Sequence, residues 1–488
     1  MIIHNWRIIR ARSAETALLG VFVLVSTCAW SSVFIHWTSP ALPPASELGV
    51  TDLVLSYDAP SPLTQAARKQ AYRVYVEVSP QQATAAANKA ESEGWAGIIL
   101  KARQSERTQA LNAFASLRSA HPKLRFFVLD PDGKQPEMRG SLVIKRNAVL
   151  EVSSPTAQPW IDSNLALVRI EQGADSGQVP MYSFLWNPPT AGQPARTITA
   201  ADYSLAVAEA GAFHADVVLE LDAGLQKALS QRDPQAWTLW KQVRSYAEFY
   251  SHPADAGLQA AVNVAVVVDD LDPSDEAMNL MARHNIPFKV LLPANLQSED
   301  MEGVDVVVVF AKPDKELAIQ LEHLASRGKA VVVVDAHGSY PWQSQAAVQL
   351  NEHAVSYGVG SGKVLELSEP VSDPETFAQD IRRLIGNQNA LMTLWNGLTT
   401  IAVPYREKSR GLKVLELINY ALDPVRVQVK VKGSFAAIRY DSPERGGCRS
   451  LASTNHDGFT EFVIPDLLVA GRVHLENQPA AASGERCP

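Results

Sequence analysis

Short apolar runs alternate with amphipathic stretches from Thr51 to about residue 255. The runs predict strands, and the stretches between them predict helices that cover the strands. The predicted strands are Asp52–Tyr57, Tyr72–Val78, Ala96–Leu100, Leu124–Leu129, Ser141–Ile144, Val149–Val152, Val179–Trp186 and Asp216–Leu221. The predicted helices are Gln81–Glu93, Glu106–Ala120, Ser163–Gln172, Ala200–Phe213 and Pro234–Tyr250. About eight strands in about 200 residues predict a compact (β/α)8 TIM-like barrel over 51–255, with an open doubly wound sheet as the alternative.

A second α/β unit is predicted over 256–398. Its strands are almost purely apolar and rich in β-branched residues, which is typical of parallel strands buried on both faces. They are Val262–Val268, Phe288–Leu292, Val304–Phe310 and Ala330–Val334. The helices Asp275–His284 and Lys315–Arg327 lie between them. This pattern predicts a small flavodoxin-like sheet.

The pattern changes again over 399–477, where short strands follow one another without a helix between them. They are Leu412–Asn419, Val425–Val431, Phe435–Tyr440, Phe459–Ile464 and Arg472–Leu475. Turn-forming pairs such as Asp-Pro, Lys-Gly and Asp-Gly separate them. The prediction is an antiparallel β-sandwich. Residues 478–488 are predicted to be a tail.

The N-terminus predicts export. Arg7, Arg10 and Arg12 precede an apolar run from about Ala17 to Trp37. Residues 1–37 therefore predict either a signal peptide, with a cut before Trp30, or an uncleaved membrane anchor. Residues 38–50 are predicted to be a linker. Because the charges precede the run, the body is predicted to be extracytoplasmic, whether secreted, periplasmic or membrane-anchored.

Composition excludes several classes of protein. The net charge is -8 and there is no block of basic residues, which argues against nucleic-acid binding. Three cysteines are too few for a zinc ribbon, an iron–sulfur cluster or a disulfide-dense scaffold. The histidines show no metal-ligand spacing, so neither a metal nor another cofactor is predicted. In an exported body, Cys448 and Cys487 are a candidate disulfide.

The order of barrel, flavodoxin-like sheet and small sandwich, over roughly Thr51 to Glu476, resembles the glycoside hydrolase family 42 β-galactosidases and the hypothetical glycoside hydrolases around them. In that group the second domain resembles class I glutamine amidotransferases and mediates trimerisation. The resemblance implies a carbohydrate partner and a homo-oligomer through the middle domain. Amidotransferase chemistry itself needs a thiolate, and there is no cysteine between Cys28 and Cys448. Asp335, His337 and Ser339 predict a strand-end turn rather than a triad.

Carboxylates at the ends of the barrel strands are the candidate catalytic groups, because barrel active sites form there and glycoside hydrolysis uses paired carboxyl groups. The resemblance implies an acid/base after the fourth strand and a nucleophile after the seventh. On the predicted strands these positions hold Asp130 and the pair Glu220 and Asp222. The family has Asn-Glu at the fourth strand, where this chain has Leu129-Asp130. A turn at Asp130 and a salt bridge at Glu220 are the structural alternatives.

Substrate contacts are predicted around the same barrel mouth. Strand alternation turns Tyr75 and Glu77 toward the barrel interior. The polar stretch from Glu151 to Asn164 joins a predicted strand to a helix, and exposed aromatic rings there can stack on a sugar. The predicted contacts are Glu77, Glu151, Gln158, Trp160, Asp162, Asn164 and Trp186. The alternatives are an N-cap role for Asp162 and packing under loops for the two tryptophans.

The sequence therefore predicts an exported glycoside hydrolase-like protein that acts on or binds a glycan at the barrel mouth, by paired carboxylates if it is catalytic. The alternative is a non-catalytic carbohydrate-binding or envelope assembly protein with a degenerate hydrolase barrel.

Overall fold

The fold was analysed in a computed structural model. The structure describes residues 32–133, 137–139, 143–146, 149–152, 160–162, 164–174, 179–184, 198–251, 257–269, 274–296, 301–408, 411–421, 423–478 and 487. Of the predicted export segment 1–37, residues 1–31 lie outside this described part and residues 32–37 lie within it. None of the described helices is both long enough and apolar enough to span a membrane.

A closed barrel of parallel strands forms the first domain. The strands up to residue 220 are β1 Val33–His36, β2 Asp52–Ser56, β3 Arg73–Val78, β4 Gly97–Lys101, β5 Arg125–Gly133, β6 Glu137–Arg139, β7 Val143–Arg146, β8 Val149–Val152, β9 Trp160–Asp162, β10 Met181–Phe184 and β11 Asp216–Glu220. Seven of the strands in the described residues close the barrel in the order β1, β2, β3, β4, β5, β10, β11, with β11 pairing back to β1. This confirms the parallel barrel and corrects the expected eight strands to seven.

Helices cover the outside of the barrel. They are α1 Ala45–Leu48, α2 Ser61–Lys69, α3 Ala83–Glu93, α4 Arg107–Ala120, α5 Leu165–Ala174, α6 Ala200–Ala212, α7 Ala223–Ser230 and α8 Pro234–Tyr250. Five of them confirm the predicted helices within two residues. The helix α6 is buried along nearly its whole length, because the sandwich described below covers its outer side.

The barrel begins earlier than predicted. Its first strand, β1, pairs in parallel with β2 on one side and with β11 on the other. This strand lies inside the range 1–37 assigned to the export segment, and α1 lies inside the predicted linker 38–50. The continuous apolar run concealed the boundary, because a four-residue buried strand has no periodicity of its own.

Two predicted barrel strands lie elsewhere. The segments β7 and β8 pair with each other as an antiparallel hairpin, and β6 pairs with β9. All four belong to the connection between β5 and α5, which leaves the barrel at the carboxyl end of β5. They therefore form an insertion at the mouth of the barrel rather than part of its wall.

The barrel interior is a small, separate core. Its members alternate with outward residues along the strands, and they are Phe34, Val54, Tyr75, Ile99, Leu129, Met181 and Val218, flanked by Ala96 and Phe127. The rings of Phe34, Tyr75 and Phe127 meet edge to face at 5.1–5.7 Å. This aromatic plug fills the middle of the barrel, so any ligand must bind at one of its two ends.

The middle domain is a seven-stranded sheet within the described residues. Its elements are β13 Val264–Val267, α9 Asp275–Arg283, β14 Phe288–Leu291, β15 Val306–Val309, α10 Lys315–Ser326, β16 Ala330–Val333, β17 Ala347–Asn351, β18 Ala354–Val359, β19 Gly362–Leu367 and α11 Pro374–Ile385. The order is β14, β13, β15, β16, β19, β18, β17. The first five strands are parallel; β14, β13, β15 and β16 are the four strands that the apolar runs predicted, whereas β19 was not predicted. The strands β17 and β18 form an antiparallel edge hairpin.

The third domain is made of two antiparallel sheets around one core. Its strands are β12 Gln259–Ala260, β20 Met392–Trp395, β21 Thr400–Arg406, β22 Leu412–Asn419, β23 Val425–Lys432, β24 Ala437–Asp441, β25 Arg449–Leu451, β26 Ser453–His456, β27 Phe459–Leu467 and β28 Ala470–Glu476. The strands β12 and β20 lie in the range 256–398 that was assigned to the middle domain. The chain therefore enters the sandwich briefly before it builds the middle sheet. Cys448 is joined to Cys487 by a disulfide, as expected.

Buried polar contacts hold the barrel against the sandwich. The Glu209 side chain on α6 is fully buried and accepts hydrogen bonds from Asn164 at 2.7 Å, Tyr182 at 3.3 Å and Tyr420 at 2.6 Å. The last of these donors belongs to the sandwich and the other two to the barrel. The Tyr405 hydroxyl donates to the carbonyl of Ala212 at 2.7 Å across the same contact.

Candidate active site at the barrel mouth

The mouth of the barrel is lined by the last inward-facing residue of most strands. Residues two apart on a strand share a face. The residue two positions after each interior core residue therefore also faces inward, and at the carboxyl ends of these strands it is polar. These residues are His36 on β1, Ser56 on β2, Glu77 on β3, Lys101 on β4, Ser183 on β10 and Glu220 on β11. We call this set the mouth ring. The prediction that Tyr75 and Glu77 face inward is confirmed.

One charged pair stands in the mouth ring. The Lys101 ammonium lies 2.8 Å from Oε1 of Glu77, and the glutamate side chain is only 14% exposed. Their strands, β3 and β4, are paired neighbours in the barrel, so the ion pair joins adjacent strands. The ammonium balances the charge of the carboxylate and fixes its orientation.

On the opposite side, His36 and Glu220 are register partners on β1 and β11. Adjacent parallel strands are about 4.8 Å apart, so the two inward side chains stand next to each other. Both are partly exposed toward the mouth. The mouth ring therefore contains, besides the Lys101–Glu77 pair, a place where the carboxylate of Glu220 and the imidazole of His36 lie side by side.

Two buried polar atoms of the ring have no protein partner among the described residues. They are Nε2 of His36 and Oε2 of Glu77. A buried polar atom without a hydrogen bond is costly, and its presence calls for a partner such as water or a ligand. The two atoms belong to strands separated only by β2, so one molecule at the mouth could contact both.

Glu77 and Glu220 face each other across the mouth. Their strands are separated by three steps in one direction and four in the other, so they are as far apart as the ring permits. Seven strands about 4.8 Å apart and tilted by about 36° give a ring about 13 Å wide at the Cα atoms. The two glutamates therefore reach inward from opposite walls of the mouth.

Asp130 is placed differently from its prediction. Leu129 belongs to the interior core, so Asp130 lies on the opposite face of β5, and its register partner Tyr182 packs in the outer core. Asp130 is 4% exposed. It therefore stands at the carboxyl end of a barrel strand, as expected, but on the side of the helices instead of in the mouth ring.

Asp222 is also absent from the ring. Its side chain caps α7 by accepting from the backbone NH of Leu225 at 3.0 Å, and it is exposed. An Asp that precedes a helix commonly takes this role. The strand β11 ends at Glu220, so the alternation that would have turned Asp222 inward stops two residues before it.

The other predicted contacts divide between buried structure and the insertion at the mouth. Asn164, 4% exposed, donates to Glu209 and is therefore part of the domain contact. Asp162 lies in β9 rather than at the N-cap of α5, which begins at Leu165. Trp160 on β9 and Glu151 on β8 belong to the insertion, and their contact with a glycan stays a prediction. Gln158 and Trp186 lie outside the described residues.

The opposite end of the barrel carries a second, more buried ionic group. Asp52 pairs with Arg73, and the Arg125 guanidinium donates to the hydroxyl of Tyr75 at 3.2 Å. Asp216 accepts from the backbone NH of Ser32 at 2.6 Å. Burial raises the pKa of Asp216 to about 7, against the opposing effect of that hydrogen bond and of Arg125. Because these residues begin their strands, they lie at the end of a barrel that serves stability rather than catalysis.

One cluster of metal-ligating side chains occurs among the described residues, and it lies far along the chain from the mouth ring. It consists of Asp441, His474 and Cys487. The sulfur of Cys487 is committed to the disulfide with Cys448 and is not free to ligate an ion. The mouth ring contains no comparable set.

Sequence reasoning missed His36 and Lys101. The strand-end pattern Gly97-Ile-Ile-Leu-Lys101 held a usable signal, because alternation places its lysine on the same face as Ile99. His36 had no such signal while its strand was assigned to the export segment.

Comparison with known proteins supports the fold. No family profile and no curated protein sequence matches this chain. The structure is similar to alpha-L-fucosidase isoenzyme 2 from Paenibacillus thiaminolyticus, with a TM-score of 0.58 and 11% identity, over 92% of this chain and 100% of that chain. It is also similar to the beta-galactosidase from Rahnella sp. R3, with a TM-score of 0.53 and 9% identity, over 90% and 99%. The similarity extends over the barrel and the β-rich domains, and it shows a shared fold.

Proposed function

We propose that this protein is a glycan-acting hydrolase whose reaction takes place at the mouth ring. Glu77 and Glu220 are the proposed carboxyl pair, in place of Asp130 and Asp222. The observation that carries the proposal is their position, as inward-facing glutamates on opposite walls of a barrel end. Glycoside hydrolysis commonly uses two carboxyl groups that flank one bond, and the position of these two glutamates supports that role.

The neighbours of the two glutamates suggest a division of labour. Lys101 holds Glu77 and balances its charge, as suits a carboxylate that acts as nucleophile or base. Glu220 has His36 as its neighbour and no ion pair within the part of the chain that the structure describes, which suits the group that exchanges a proton with the leaving oxygen. The free Nε2 of His36 is then a hydrogen-bonding partner for a sugar hydroxyl.

A second candidate function is carbohydrate binding without turnover. The observation that favours it is the Lys101–Glu77 ion pair, because a carboxylate already held by a lysine is less available for reaction. On this reading the ring and the insertion at the mouth bind a sugar, and the hydrolase fold is retained without its chemistry.

The test compares single variants of the full-length protein on a panel of aryl glycosides and polysaccharides, with binding measured on a glycan array. Glu77→Gln and Glu220→Gln are each expected to lower kcat by about 10²–10⁴-fold while glycan binding is kept. Glu248→Gln is the matched control, since Glu248 lies on α8 and is 54% exposed. Its activity should equal that of the wild type.

The outcomes separate the two functions. Hydrolysis that survives both ring substitutions would remove the mouth ring as the reaction site. Binding by every protein with hydrolysis by none would select the carbohydrate-binding function. Substitution of Lys101 by Met should weaken either function, because it leaves Glu77 uncompensated.

We further propose that residues 1–31 direct the chain across a membrane. The proposal rests on the basic start and the apolar run, and it shortens the export segment so that β1 stays in the body. A cut before Trp30 is compatible with this boundary. Mass spectrometry of the N-terminus of protein from the extracytoplasmic fraction tests it, and an intact residue 1 on a soluble cytoplasmic protein would contradict export.

A further inference from the structure

A second cavity lies where the three domains meet, away from the mouth ring. Its volume is about 290 Å³. The end of α5 contributes Arg169 and Gln172, the middle sheet contributes Lys289, and the sandwich contributes Arg406. Because α5 runs back toward the start of β10, this end of the helix lies at the barrel end opposite the mouth.

Basic side chains predominate in the described lining of the cavity. Its described lining holds three basic side chains, those of Arg169, Lys289 and Arg406, against one carboxylate, that of Glu302. That carboxylate is 3.6 Å from the guanidinium of Arg406, and it is 42% exposed. Basic side chains therefore outnumber carboxylates in the described lining of a space that is partly shielded from solvent.

Arg169 is the unusual member. It is 8% exposed, and its guanidinium contacts the Oε1 of Gln172 at 2.8 Å and stacks on the ring of Phe213 at 4.9 Å. No carboxylate of the described residues lies within ion-pair distance of it. Burial lowers the pKa of Arg169, so the protein spends stability to keep this cation where it is. Buried charges are normally paired, and a bound anion would complete the pairing.

Arg406 adds an independent unmet donor on another wall. Its Nη2 donates to the backbone carbonyl of Glu302 at 3.0 Å, but its Nε is buried and has no partner among the described residues. Guanidinium groups present rigid pairs of donors that match the oxygens of carboxylates and phosphates. Two arginines on separate domains thus line the same cavity.

We propose that this junction cavity binds a small oxyanion, a carboxylate or phosphate no larger than a monosaccharide, between Arg169 and Arg406. The bound anion neutralises the buried guanidinium and bridges the barrel to the sandwich beside the middle sheet. It stabilises one arrangement of the three domains. It does not enter the reaction at the mouth ring.

The experiment is isothermal titration of the full-length protein with inorganic phosphate, with glucuronate and with glucose, at constant ionic strength set by sodium chloride. Phosphate and glucuronate distinguish a free phosphate from the carboxylate of a sugar acid, and glucose tests whether charge is required. One of the two anions is expected to bind with one site per chain, and glucose is expected not to bind at this cavity. Thermal melting should rise with the concentration of the same anion.

The variants locate the site. Arg169→Gln should weaken binding of the anion at least tenfold, and Arg406→Gln should weaken it as well. Arg383→Gln is the matched control, because Arg383 lies on α11 with 69% of its side chain exposed and does not line the cavity. Its affinity should equal that of the wild type.

Circular dichroism identifies variants that fail to fold. If Arg169→Gln is one of them, the anion affinity of Arg406→Gln is the test of the proposal. The proposal is overturned if neither anion binds, if glucose binds as well as the anions in an Arg169-dependent manner, or if the folded arginine variants bind the anion with wild-type affinity.

Discussion

Asp216 makes a definite contribution to the pH dependence of stability. Burial raises its pKa in the folded protein to about 7, above the ordinary value of 3.8. The unfolded chain therefore releases this proton at lower pH than the folded chain. Stability contributed by the group is greatest in acid and falls as the pH rises from about 4 to about 7. Above about pH 7 the stabilising contribution of Asp216 has been lost completely and does not change further with pH.

The size of the effect follows from the shift. A difference of about three pKa units corresponds to about 4 kcal/mol in total, and about 2–3 kcal/mol of it falls between pH 5 and pH 8. Asp216→Asn cannot titrate, yet its amide oxygen can still accept from the backbone NH of Ser32. The variant should therefore lose about 2–3 kcal/mol less stability than the wild type between these two pH values.

The assay is urea unfolding at both pH values, followed by the fluorescence of Trp37, Trp95 and Trp240, which are buried in the barrel domain. Only the difference between the two proteins is used, so that groups common to both cancel. Asp233→Asn is the control, since Asp233 is an exposed cap of α8. Equal pH dependence in the wild type and Asp216→Asn would refute the reasoning.

Three further predictions concern contacts within and between the domains. Tyr420→Phe deletes the donor 2.6 Å from buried Glu209, and it should lower the free energy of unfolding by about 1–3 kcal/mol in urea titrations; an unchanged midpoint would contradict the role of this contact. Replacing Cys448 and Cys487 by Ser opens a loop with a sequence separation of 39, and calorimetry should show a lower Tm for a loss of up to about 4 kcal/mol, whereas an unchanged Tm would count against the bridge. Deleting residues 1–31 should leave thermal melting intact, whereas deleting 1–37 also removes β1 and should abolish cooperative melting; equal melting of both would show that β1 is dispensable.

The regular elements of this chain were predictable because their periodicity is local. Four of the five parallel strands of the middle sheet and five of the barrel helices appear where apolar runs and helical stretches predicted them. Alternation also predicted that Glu77 faces the barrel interior, and the core around Tyr75 confirms this.

The sequence did not predict which strands pair with one another. The strands β7 and β8 have the same apolar character as barrel strands, yet they pair with each other. The periodicity of a strand does not specify its partner strand, so the sequence could not predict this pairing. Asp130 lies on the fifth barrel strand instead of the predicted fourth, because β1 precedes the strands that the apolar runs predict. Asp222 carried a recognisable signal, because an Asp before an amphipathic run is a common N-cap.

The mouth ring was only partly predictable. Glu220 and Glu77 could be found from strand ends and alternation, whereas the contact of Lys101 with Glu77 depends on the tertiary register of β3 and β4. The register pair of His36 and Glu220 depends on barrel closure, which joins residues from opposite ends of the domain.

That closure has a consequence for synthesis of the chain on the ribosome. Ser32, just before β1, and Asp216, which begins β11, hydrogen-bond across 184 residues of sequence. At about 5–20 residues per second, the edge of β1 that β11 will cover waits about 10–40 s for its partner. During that interval a nascent chain presents an unpaired apolar edge, so passage through a translocon or binding by a holdase would shelter the strand that completes the barrel.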